Sequence, residues 1–332
     1  MTNVLVTGSN GQLGSEIRDL VGGFGEAALG CAPLGAPDNG DNIFHFTNSS
    51  TLDITDFTKV QEFIETHNIN TIINCAAYTA VDKAQTNEVN ADKINHLAVK
   101  NLATIAKEKN IKLIHISTDY VFDGKNYKPY TEDDTTNPNG VYGQTKLEGE
   151  KAMQSINPQN SIIIRTSWVY SSFGANFVKT MLRLGKERDS LGVIFDQVGT
   201  PTYARDLARA ILEILPQLGE TQSGERHGIA FQATHPEATL GRAPLGAPSN
   251  VEIYNYSNEG VLSWYDFSKE IMKMAKIDCQ INPIETKDYP TPAKRPHYSL
   301  LNKSKIKEEF GIIIPYWKDS LDECLRVMGE RR

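Results

Sequence analysis

The first half of the chain alternates short, continuous apolar runs with longer stretches whose apolar residues recur at helical spacing. Continuous runs of about four to eight apolar residues are typical of strands buried on both faces, and spacings of three and four are typical of amphipathic helices. The pattern predicts strands at residues 3–7, 43–46, 71–75, 112–117 and 161–166, and helices at residues 12–20, 56–66, 89–109 and 141–153. This alternation predicts an α/β fold with a Rossmann-type doubly wound parallel sheet.

The second half of the chain is less regular. Its pattern predicts one clear strand at residues 251–256, a proline-rich run at 289–296, and helices at 176–187, 203–215, 263–275 and 317–328. A length of 332 residues suits about two domains at a prior of roughly 150 residues each. We therefore expect residues 1–170 to form a nucleotide-binding domain, to which later segments return. Residues 171–332 should form mainly a smaller α/β lobe that binds the substrate.

One segment of the chain occurs twice, as EAALGCAPLGAP at residues 26–37 and as EATLGRAPLGAP at residues 237–248. Two copies so far apart cannot stack as the repeats of a solenoid. Their glycine and proline content disfavours helix interiors and central strands. We interpret both copies as loop insertions on the surface, and a paired functional motif is the alternative.

Charge, hydropathy and cysteine usage exclude several classes of protein. The formal net charge of -7 and the absence of a long basic block argue against a nucleic acid partner. No apolar run approaches the roughly 18 residues of a membrane helix, and no signal peptide precedes the first strand, so we expect a cytoplasmic protein without a membrane partner. Neither a zinc site nor a disulfide framework is suggested by the spacing of Cys31, Cys75, Cys279 and Cys324.

Three glycines lie between the first predicted strand and the first predicted helix. Gly8, Gly11 and Gly14 permit a tight turn, and they let backbone N–H groups approach a pyrophosphate at the positive end of the helix dipole. The spacing differs from the G-x-G-x-x-G of standard dinucleotide dehydrogenases, and an ordinary glycine-rich turn is the alternative. The position directly after a strand favours a phosphate-binding loop.

Tyr142 and Lys146 lie four residues apart on a predicted helix and therefore on one face of it. Reduction of a carbonyl group needs a proton donor, and a tyrosine with a pKa of about 10 is a weak one. An ammonium about 4 Å away favours the phenolate by about 4 kcal/mol at an effective dielectric near 20, so we expect Lys146 to lower the pKa of Tyr142. Thr118, at the end of a buried strand, supplies a third polar group. The conjunction predicts a nicotinamide redox site, whereas the Y-x-x-x-K spacing alone is common by chance.

On these motifs the chain resembles the extended short-chain dehydrogenase/reductase family, nearly from end to end outside the duplicated segments. The resemblance rests on GSNGQLG at 8–14, NCAAYTAVDKA at 74–84, STDYVFDG at 117–124, VYGQTKLEGE at 141–150, RTSWVY at 165–170, NFVKTMLRL at 176–184 and YPTPAKRP at 289–296. It implies reduction of the C4 keto group of dTDP-4-dehydro-β-L-rhamnose to dTDP-L-rhamnose, with NADPH or NADH as the cofactor.

The resemblance also implies roles for individual residues. The implied cofactor contacts are Gly11, Gln12 and Leu13 at the diphosphate, Asp53 and Ile54 on the adenine side, and Ala77, Tyr78 and Thr79 at the middle of the dinucleotide. Tyr142 would be the proton donor, and Lys146 would hold the nicotinamide ribose. The implied contacts to the deoxysugar are Thr118, Asp119 and Trp168, with Asn176 nearby. The structural alternatives are a turn cap for Asp119, a core position for Trp168 and an ordinary helix position for Asn95.

Three properties stay open at this point. Residues 47–49, at the tip of the second predicted strand, include neither an acid that would repel a cofactor 2′-phosphate nor an arginine that would hold it, so NADH and NADPH are both allowed. Some relatives are linked by Mg²⁺ through carboxylates, and Glu16 occupies one such position, but no partners can be assigned and no metal site is predicted. The resemblance also allows a homodimer.

Two other functions compete with a reductase. A nucleotide-sugar epimerase or dehydratase would share the fold, but a dehydratase would have Thr-Asp-Glu where this chain has Thr118, Asp119 and Tyr120, so the acid for water elimination is missing. A non-catalytic module, similar to the regulatory β subunit of methionine adenosyltransferase, is disfavoured by the intact set of Thr118, Tyr142 and Lys146.

Overall fold

The computed structural model of the protein describes residues 2–22, 42–219 and 251–330. Both copies of the duplicated segment, residues 26–37 and 237–248, lie outside the described residues. The hypothesis that they are surface loops therefore stays a prediction.

The described strands are mostly short. In chain order they are β1 (Thr2–Thr7), β2 (Asn42–Phe46), β3 (Thr71–Asn74), β4 (Lys112–Thr118), β5 (Ile162–Thr166), β6 (Val169–Tyr170), β7 (Ser190–Ile194), β8 (Val198–Gly199), β9 (Thr202–Tyr203), β10 (Glu252–Tyr256), β11 (Leu262–Ser263) and β12 (Gln280–Ile284).

The described helices lie mainly between the strands. In chain order they are α1 (Gln12–Gly22), α2 (Phe57–Thr66), α3 (Val81–Ala84), α4 (Glu88–Asp92), α5 (Ala98–Glu108), α6 (Val141–Ile156), α7 (Phe177–Glu187), α8 (Ala204–Ile214), α9 (Trp264–Met274), α10 (Ser304–Phe310) and α11 (Trp317–Glu330). None of these helices has the length and apolar character required to span a bilayer.

Six parallel strands form the central sheet in the order β2-β1-β3-β4-β5-β10. The chain leaves β1 for β2 on one side and then returns to β3 on the other side, so the strand order reverses between β1 and β3. In open α/β sheets, ligands bind outside the carboxyl ends of the strands at such a switch point. The predicted Rossmann-type fold is confirmed.

Helices cover both faces of the central sheet, and alternate residues of each strand point to opposite faces. Val4 and Val6 of β1 belong to a core completed by α1 and α8, whereas Leu5 packs with α2 and α5 on the other face. Strand β10 and helix α8 come from the second half of the chain and pack with this sheet. A separate core joins α7, α9 and α11 with β7 and β12.

The predicted helix at residues 89–109 is interrupted by one π turn at Lys93–Leu97. Asn95 is buried in that turn, opposite Gly149 of α6. A Cβ atom at Gly149 would lie 2.2 Å from the Asn95 carbonyl oxygen, so only glycine permits this approach. The contact fixes the position of α6, which carries Tyr142 and Lys146.

We expect Gly149→Ala to lower the free energy of unfolding by about 1–3 kcal/mol, because the added methyl group would push α6 away from the π turn. Urea denaturation followed by circular dichroism measures the change. Gly329→Ala in α11 is the matched control, since a Cβ there meets no atom within 4 Å. It should leave stability unchanged or slightly raised. Equal destabilisation by both substitutions would contradict the packing argument.

Candidate active site

A cavity of about 790 Å³ opens at the carboxyl edge of the central sheet. Its walls come from the segments that follow β1 to β5 and from the start of α6. Several predicted cofactor residues line it, namely Gly8, Gly11, Gln12, Leu13, Asp53, Ile54, Ala77, Thr79, Tyr142 and Lys146. The same cavity is lined by all four predicted substrate residues, Thr118, Asp119, Trp168 and Asn176. The structure thus brings these residues together, and their individual roles stay predictions.

Gly14 and Tyr78 are the two predicted cofactor residues that do not line the cavity. A Cβ atom at Gly14 would lie 2.6 Å from the Ser9 Cα atom, so Gly14 lets the first turn of α1 pack on the loop. Gly8 has a φ of +65°, and its Cβ would meet the Ala76 backbone at 2.7 Å. These glycines bring the start of α1 and the end of β3 to one point, where the backbone N–H groups of α1 are available to an anion.

Asn95 holds the segment that follows β3. Its side-chain oxygen accepts a hydrogen bond from the Tyr78 backbone N–H at 2.8 Å, and its amide donates to the Tyr78 carbonyl at 3.2 Å. The same amide lies 3.2 Å from the Thr145 hydroxyl of α6. Asn95 is therefore more than an ordinary helix residue. By binding the Tyr78 backbone and Thr145, it holds the segment Ala77–Thr79 against α6.

Thr118 and Tyr142 meet where α6 begins beside the end of β4. Gly143 makes this possible, since a Cβ there would lie 2.2 Å from the Tyr120 carbonyl oxygen. The rings of Tyr120 and Tyr142 pack edge to face, with centroids 5.4 Å apart. The Thr118 side chain also accepts a hydrogen bond from the Tyr120 N–H, so Thr118, rather than Asp119, caps the turn Asp119–Val121.

Burial raises the pKa of Tyr142 to about 12, a hydrogen bond with Thr118 partly opposes the shift, and the charge of Asp119 adds to it. The prediction that Lys146 lowers this pKa is wrong for the structure, because desolvation of the phenolate outweighs any favourable charge. The phenol is therefore protonated throughout the neutral range. That is the form from which a proton donor must start.

Lys146 is buried with its ammonium against β4. Its Nζ donates to the Ile116 carbonyl at 2.6 Å and lies 3.3 Å from Nε2 of His115. Burial lowers the pKa of Lys146 to about 8, and the negative charge of Glu150 partly opposes this shift. The lysine thus changes charge close to the physiological range.

His115 was not singled out by the sequence. Its Nδ1 lies 3.0 Å from the Asn74 amide, whose oxygen accepts a hydrogen bond from the Thr7 hydroxyl at 2.6 Å. Burial and the charge of Lys146 hold the pKa of His115 well below its usual value, so the ring is neutral. A buried row of polar side chains in hydrogen-bond contact therefore connects β1 to Lys146, through Thr7, Asn74 and His115. The only signal for it is a histidine within the apolar run Leu113–Ile116 of β4.

Asp119 is buried beside Thr118, whose hydroxyl lies 3.0 Å from its carboxylate. Burial raises the pKa of Asp119 to about 7, and hydrogen bonds from Thr118 and Ser299 partly oppose this shift. Ser299 belongs to the C-terminal part of the chain. Asp119 therefore lies between the carboxyl end of β4 and the C-terminal part of the chain.

Trp168 has a left-handed backbone with φ of 48°, which is strained for a bulky residue. Its ring stacks on Trp264 with centroids 3.6 Å apart and also approaches Gly199. Asn176 caps α7 by accepting from the Lys179 N–H at 3.1 Å. Both residues have structural partners and line the cavity as well.

Glu16 is fully buried and faces hydrogen-bond donors. It accepts from the Ser171 hydroxyl at 2.5 Å and from the Arg205 guanidinium at 3.2 Å, and the same guanidinium lies 2.6 Å from Asp19. One guanidinium thus pairs with both carboxylates. Among the described residues, no group of three or more His, Cys, Asp or Glu could hold a metal ion.

Further residues line the cavity that were not assigned as contacts from the sequence, among them Asn10, Leu52, Val81, Gly174 and Ala175. Asn48 and Ser49, at the predicted tip of the second strand, also line it. For Gly174 and Ala175 no local pattern gave a signal, because they reach the cavity only through the packing of the second lobe.

Comparisons with known proteins agree with this geometry. A family model described as RmlD substrate binding domain matches residues 1–236 and 237–329. The dTDP-4-dehydrorhamnose reductase of Aggregatibacter actinomycetemcomitans is 38% identical over 329 residues, covering 97% of each chain.

Two crystal structures are also similar. A dTDP-4-dehydrorhamnose reductase from Clostridium acetobutylicum superposes with a TM-score of 0.82 at 37% identity, covering 99% of this chain and 100% of the other. The dTDP-4-dehydrorhamnose reductase of Bacillus anthracis, in complex with NADP, superposes with a TM-score of 0.80 at 30% identity. The match covers 98% of this chain and 99% of the other. The resemblance found in the sequence is confirmed, and the chain belongs to the RmlD substrate binding domain family.

Proposed function

We propose that the protein reduces the C4 keto group of dTDP-4-dehydro-β-L-rhamnose to give dTDP-L-rhamnose, within dTDP-rhamnose biosynthesis, with NADPH or NADH as the reductant. The observation that carries the proposal is that Thr118, Tyr142 and Lys146 line the same cavity as the glycine loop after β1. Relatives at 37–38% identity bear the name of this reductase, and the similar Bacillus anthracis structure holds NADP.

The glycine loop and the start of α1 would hold the cofactor diphosphate through backbone N–H groups. Asp53 and Ile54 would contact the adenine side, and Ala77 and Thr79 the middle of the dinucleotide. The reduced nicotinamide supplies a hydride to C4 when it is bound. Lys146 would hold the nicotinamide ribose while its ammonium donates to the Ile116 carbonyl.

Tyr142 would donate its phenolic proton to the C4 oxygen as negative charge develops there. The Thr118 hydroxyl, beside the phenol, would hold the same oxygen in line with the proton. The phenolate that remains regains its proton from solvent. Asp119, Trp168 and Asn176 would contact the deoxysugar from the other walls of the cavity.

We also propose a domain division, a cellular location and an oligomeric state. The proposed division near residue 170 gives a second lobe that supplies Asn176 to the cavity and packs Trp264 against Trp168, while Thr118, Asp119 and Trp168 belong to the first lobe. A cytoplasmic location suits the described cysteines, which are free thiols. A homodimer stays a prediction from the resemblance.

The alternative dehydratase is disfavoured by Tyr120. It occupies the position where the acid for water elimination would be expected, and burial raises the pKa of its phenol further above the usual range. An epimerase would return the hydride to the sugar, and a binding module would transfer none. The direct test is to mix the purified protein with the 4-keto sugar nucleotide and each reduced cofactor. Stoichiometric loss of nicotinamide absorbance supports a reductase, and product formation without loss supports an epimerase.

We expect Tyr142→Phe to lower kcat by about 10²–10⁴-fold with little change in cofactor affinity, because the proton donor is lost and the fold is kept. Tyr120→Phe is the matched control, since Tyr120 lines the same cavity and packs on Tyr142 but donates no proton in the proposal. It should keep turnover within a few-fold of the wild type. If Tyr142→Phe retains more than about a tenth of wild-type turnover, Tyr142 is not the acid.

The rate should depend on the charge of Lys146. With its pKa lowered to about 8, the ammonium is present below that pH and is lost as the pH rises through it, so kcat/KM should fall above about pH 8. Lys146→Arg keeps the charge to much higher pH, so the remaining activity should lose this alkaline decline. Asp119→Asn should retain the decline, since Asp119 titrates near 7. An unchanged alkaline decline in Lys146→Arg would assign it to another group.

Trp168→Ala should raise the Michaelis constant for the sugar nucleotide by about fivefold, because the deoxysugar loses an apolar face worth about 1 kcal/mol. Cofactor affinity should stay constant. Trp317→Ala is the control, since Trp317 is a buried tryptophan that does not line the cavity, and it should lower the melting temperature with unchanged sugar kinetics. Steady-state kinetics and melting temperatures of both variants distinguish a sugar contact from a purely structural role for Trp168. A lower melting temperature with unchanged sugar kinetics in Trp168→Ala would assign Trp168 to the core alone.

A further inference from the structure

We propose that His115 is a positioning residue for Lys146. The buried row Thr7, Asn74 and His115 reverses its hydrogen bonds when Lys146 changes charge, so that the lysine presents an N–H group to the cavity in both charge states. This role goes beyond the proposed function, which gives the row no part. It rests on that function only in taking the cavity-facing N–H group to hold the nicotinamide ribose.

The row crosses three adjacent strands of the central sheet. Thr7 of β1 is the register partner of Asn74 of β3, which is in turn the register partner of His115 of β4. Two residues back along each strand, the same face carries apolar residues of one core, namely Leu5, Ile72 and Leu113. A polar row therefore takes the place of an apolar one at the carboxyl edge of this face.

Burial makes this replacement costly unless the polar groups have partners. Thr7, Asn74 and His115 are each at most 1% exposed. The Thr7 hydroxyl donates to Asn74 Oδ1 at 2.6 Å, and Asn74 Nδ2 lies 3.0 Å from His115 Nδ1. The other ring nitrogen, Nε2, lies 3.3 Å from Lys146 Nζ. The row thus ends at Lys146 rather than in solvent.

The amino group of Lys146 has three directions. Its Nζ donates to the Ile116 carbonyl at 2.6 Å, it faces His115 Nε2, and the side chain lines the cavity. An ammonium fills these directions with three N–H groups, whereas a neutral amine has two N–H groups and a lone pair. A carbonyl oxygen can only accept. The lone pair must therefore point either at His115 or into the cavity.

The neutral ring of His115 can direct the lone pair away from the cavity, because it has one donor and one acceptor nitrogen in either tautomer. With the ammonium, Nε2 accepts from Lys146 and Nδ1–H donates to the Asn74 amide oxygen. With the amine, Nε2–H donates to the lone pair and Nδ1 accepts from the Asn74 NH₂ group, the orientation in which Oδ1 faces Thr7. Both arrangements leave an N–H group of Nζ toward the cavity.

The reversal releases one proton in total. On deprotonation, one Nζ–H bond of Lys146 and the Nδ1–H bond of His115 break, an Nε2–H bond forms, and one proton passes to solvent. The ring keeps one proton in each arrangement, since burial and the charge of Lys146 hold the pKa of His115 well below its usual value. The Asn74 amide turns over between the arrangements, and the Thr7 hydroxyl, which can donate or accept, follows it.

Other ionisable groups surround Lys146. In the described part of the chain they are Tyr142 and Glu150 on α6, Asp119 and Tyr120 after β4, Cys75 after β3 and Arg165 on β5. The π turn and α5, both within the described ranges, bury no ionisable side chain. The charge of Glu150 favours the ammonium, but its carboxylate is bound to Arg165 at 2.7 Å. Among the described hydrogen-bond contacts of Nζ, His115 is the one that can both donate and accept.

The first test follows the His115 ring by NMR and needs neither cofactor nor substrate. In protein labelled with ¹⁵N in its histidine rings, the nitrogen shifts distinguish the two neutral tautomers from the imidazolium, and His115→Gln assigns the signals. Between about pH 6 and about pH 10 the ring should stay neutral. Its proton should move from Nδ1 to Nε2 with a midpoint at the Lys146 pKa of about 8. Lys146→Met should remove this midpoint, because methionine does not titrate.

His45 on β2 is the matched control within the same spectra, because its ring packs on Phe63 and His67. Burial and the charge of His67 lower the pKa of His45, so its signals should not change near pH 8. A single His115 tautomer throughout the lysine titration would overturn the proposal. An imidazolium ring on the acidic side of that titration would overturn it as well.

The second test measures NADH affinity by fluorescence on both sides of the Lys146 pKa. The alkaline loss of affinity should be about fivefold greater in His115→Leu than in the wild type, as for one lost hydrogen bond. His45→Leu should match the wild type, and His115→Gln should recover part of the loss because its amide can donate or accept. Equal alkaline losses in the wild type and in folded His115→Leu would contradict the positioning role.

The two tests separate this proposal from the proposed function. If His115→Leu does not fold, the spectra of the wild type decide, since they need no variant of the row. Failure of the protein to bind NADH and NADPH, or to reduce the 4-keto sugar, would overturn the proposed function. The tautomer change of His115 would still confirm or refute the reversal of the row.

Discussion

The close packing of α6 against the turn after β4 and against the π turn Lys93–Leu97 is the constraint on which the candidate site depends. Gly143 and Gly149 are the two points of closest approach, and a Cβ at either would lie 2.2 Å from a backbone carbonyl oxygen. The first contact brings Tyr142 beside Thr118, and the second fixes the helix on the π turn that contains Asn95. Because a hydrogen bond requires heavy atoms within about 3 Å, a small shift of this helix would separate Tyr142 from Thr118.

Burial sets the electrostatics of this site more strongly than pairing does. Desolvation is the largest influence on the pKa values of Tyr142, Lys146 and His115, and it favours the neutral form of each. Close by, Glu150 is buried in an ion pair with Arg165 at 2.7 Å, so one carboxylate in this region keeps a fixed partner. The charge of Glu150 supports the Lys146 ammonium. The site therefore combines a protonated phenol with a lysine that is only moderately basic.

The cavity takes its two ends from different parts of the chain. The end with the glycine loop is built from loops at the carboxyl edge of the sheet, which follow directly from the alternation of strands and helices. The end with Trp168 and Asn176 needs the second half of the chain, since Trp168 is held by its stack on Trp264 and Asn176 caps α7. Segments of the second half also complete the central sheet through β10. Residues from both halves of the chain thus line the candidate site.

The sequence by itself determined the parallel α/β sheet, the glycine loop and the pair Tyr142 and Lys146, because hydrophobic periodicity, glycine spacing and helical spacing are local properties. Tertiary structure decided how these groups behave. The direction of the Tyr142 pKa shift depends on burial, which no local spacing reveals. The contacts of His115 with Lys146 and with Asn74 join residues on different elements, so they exist only after the strands pair and the helices pack.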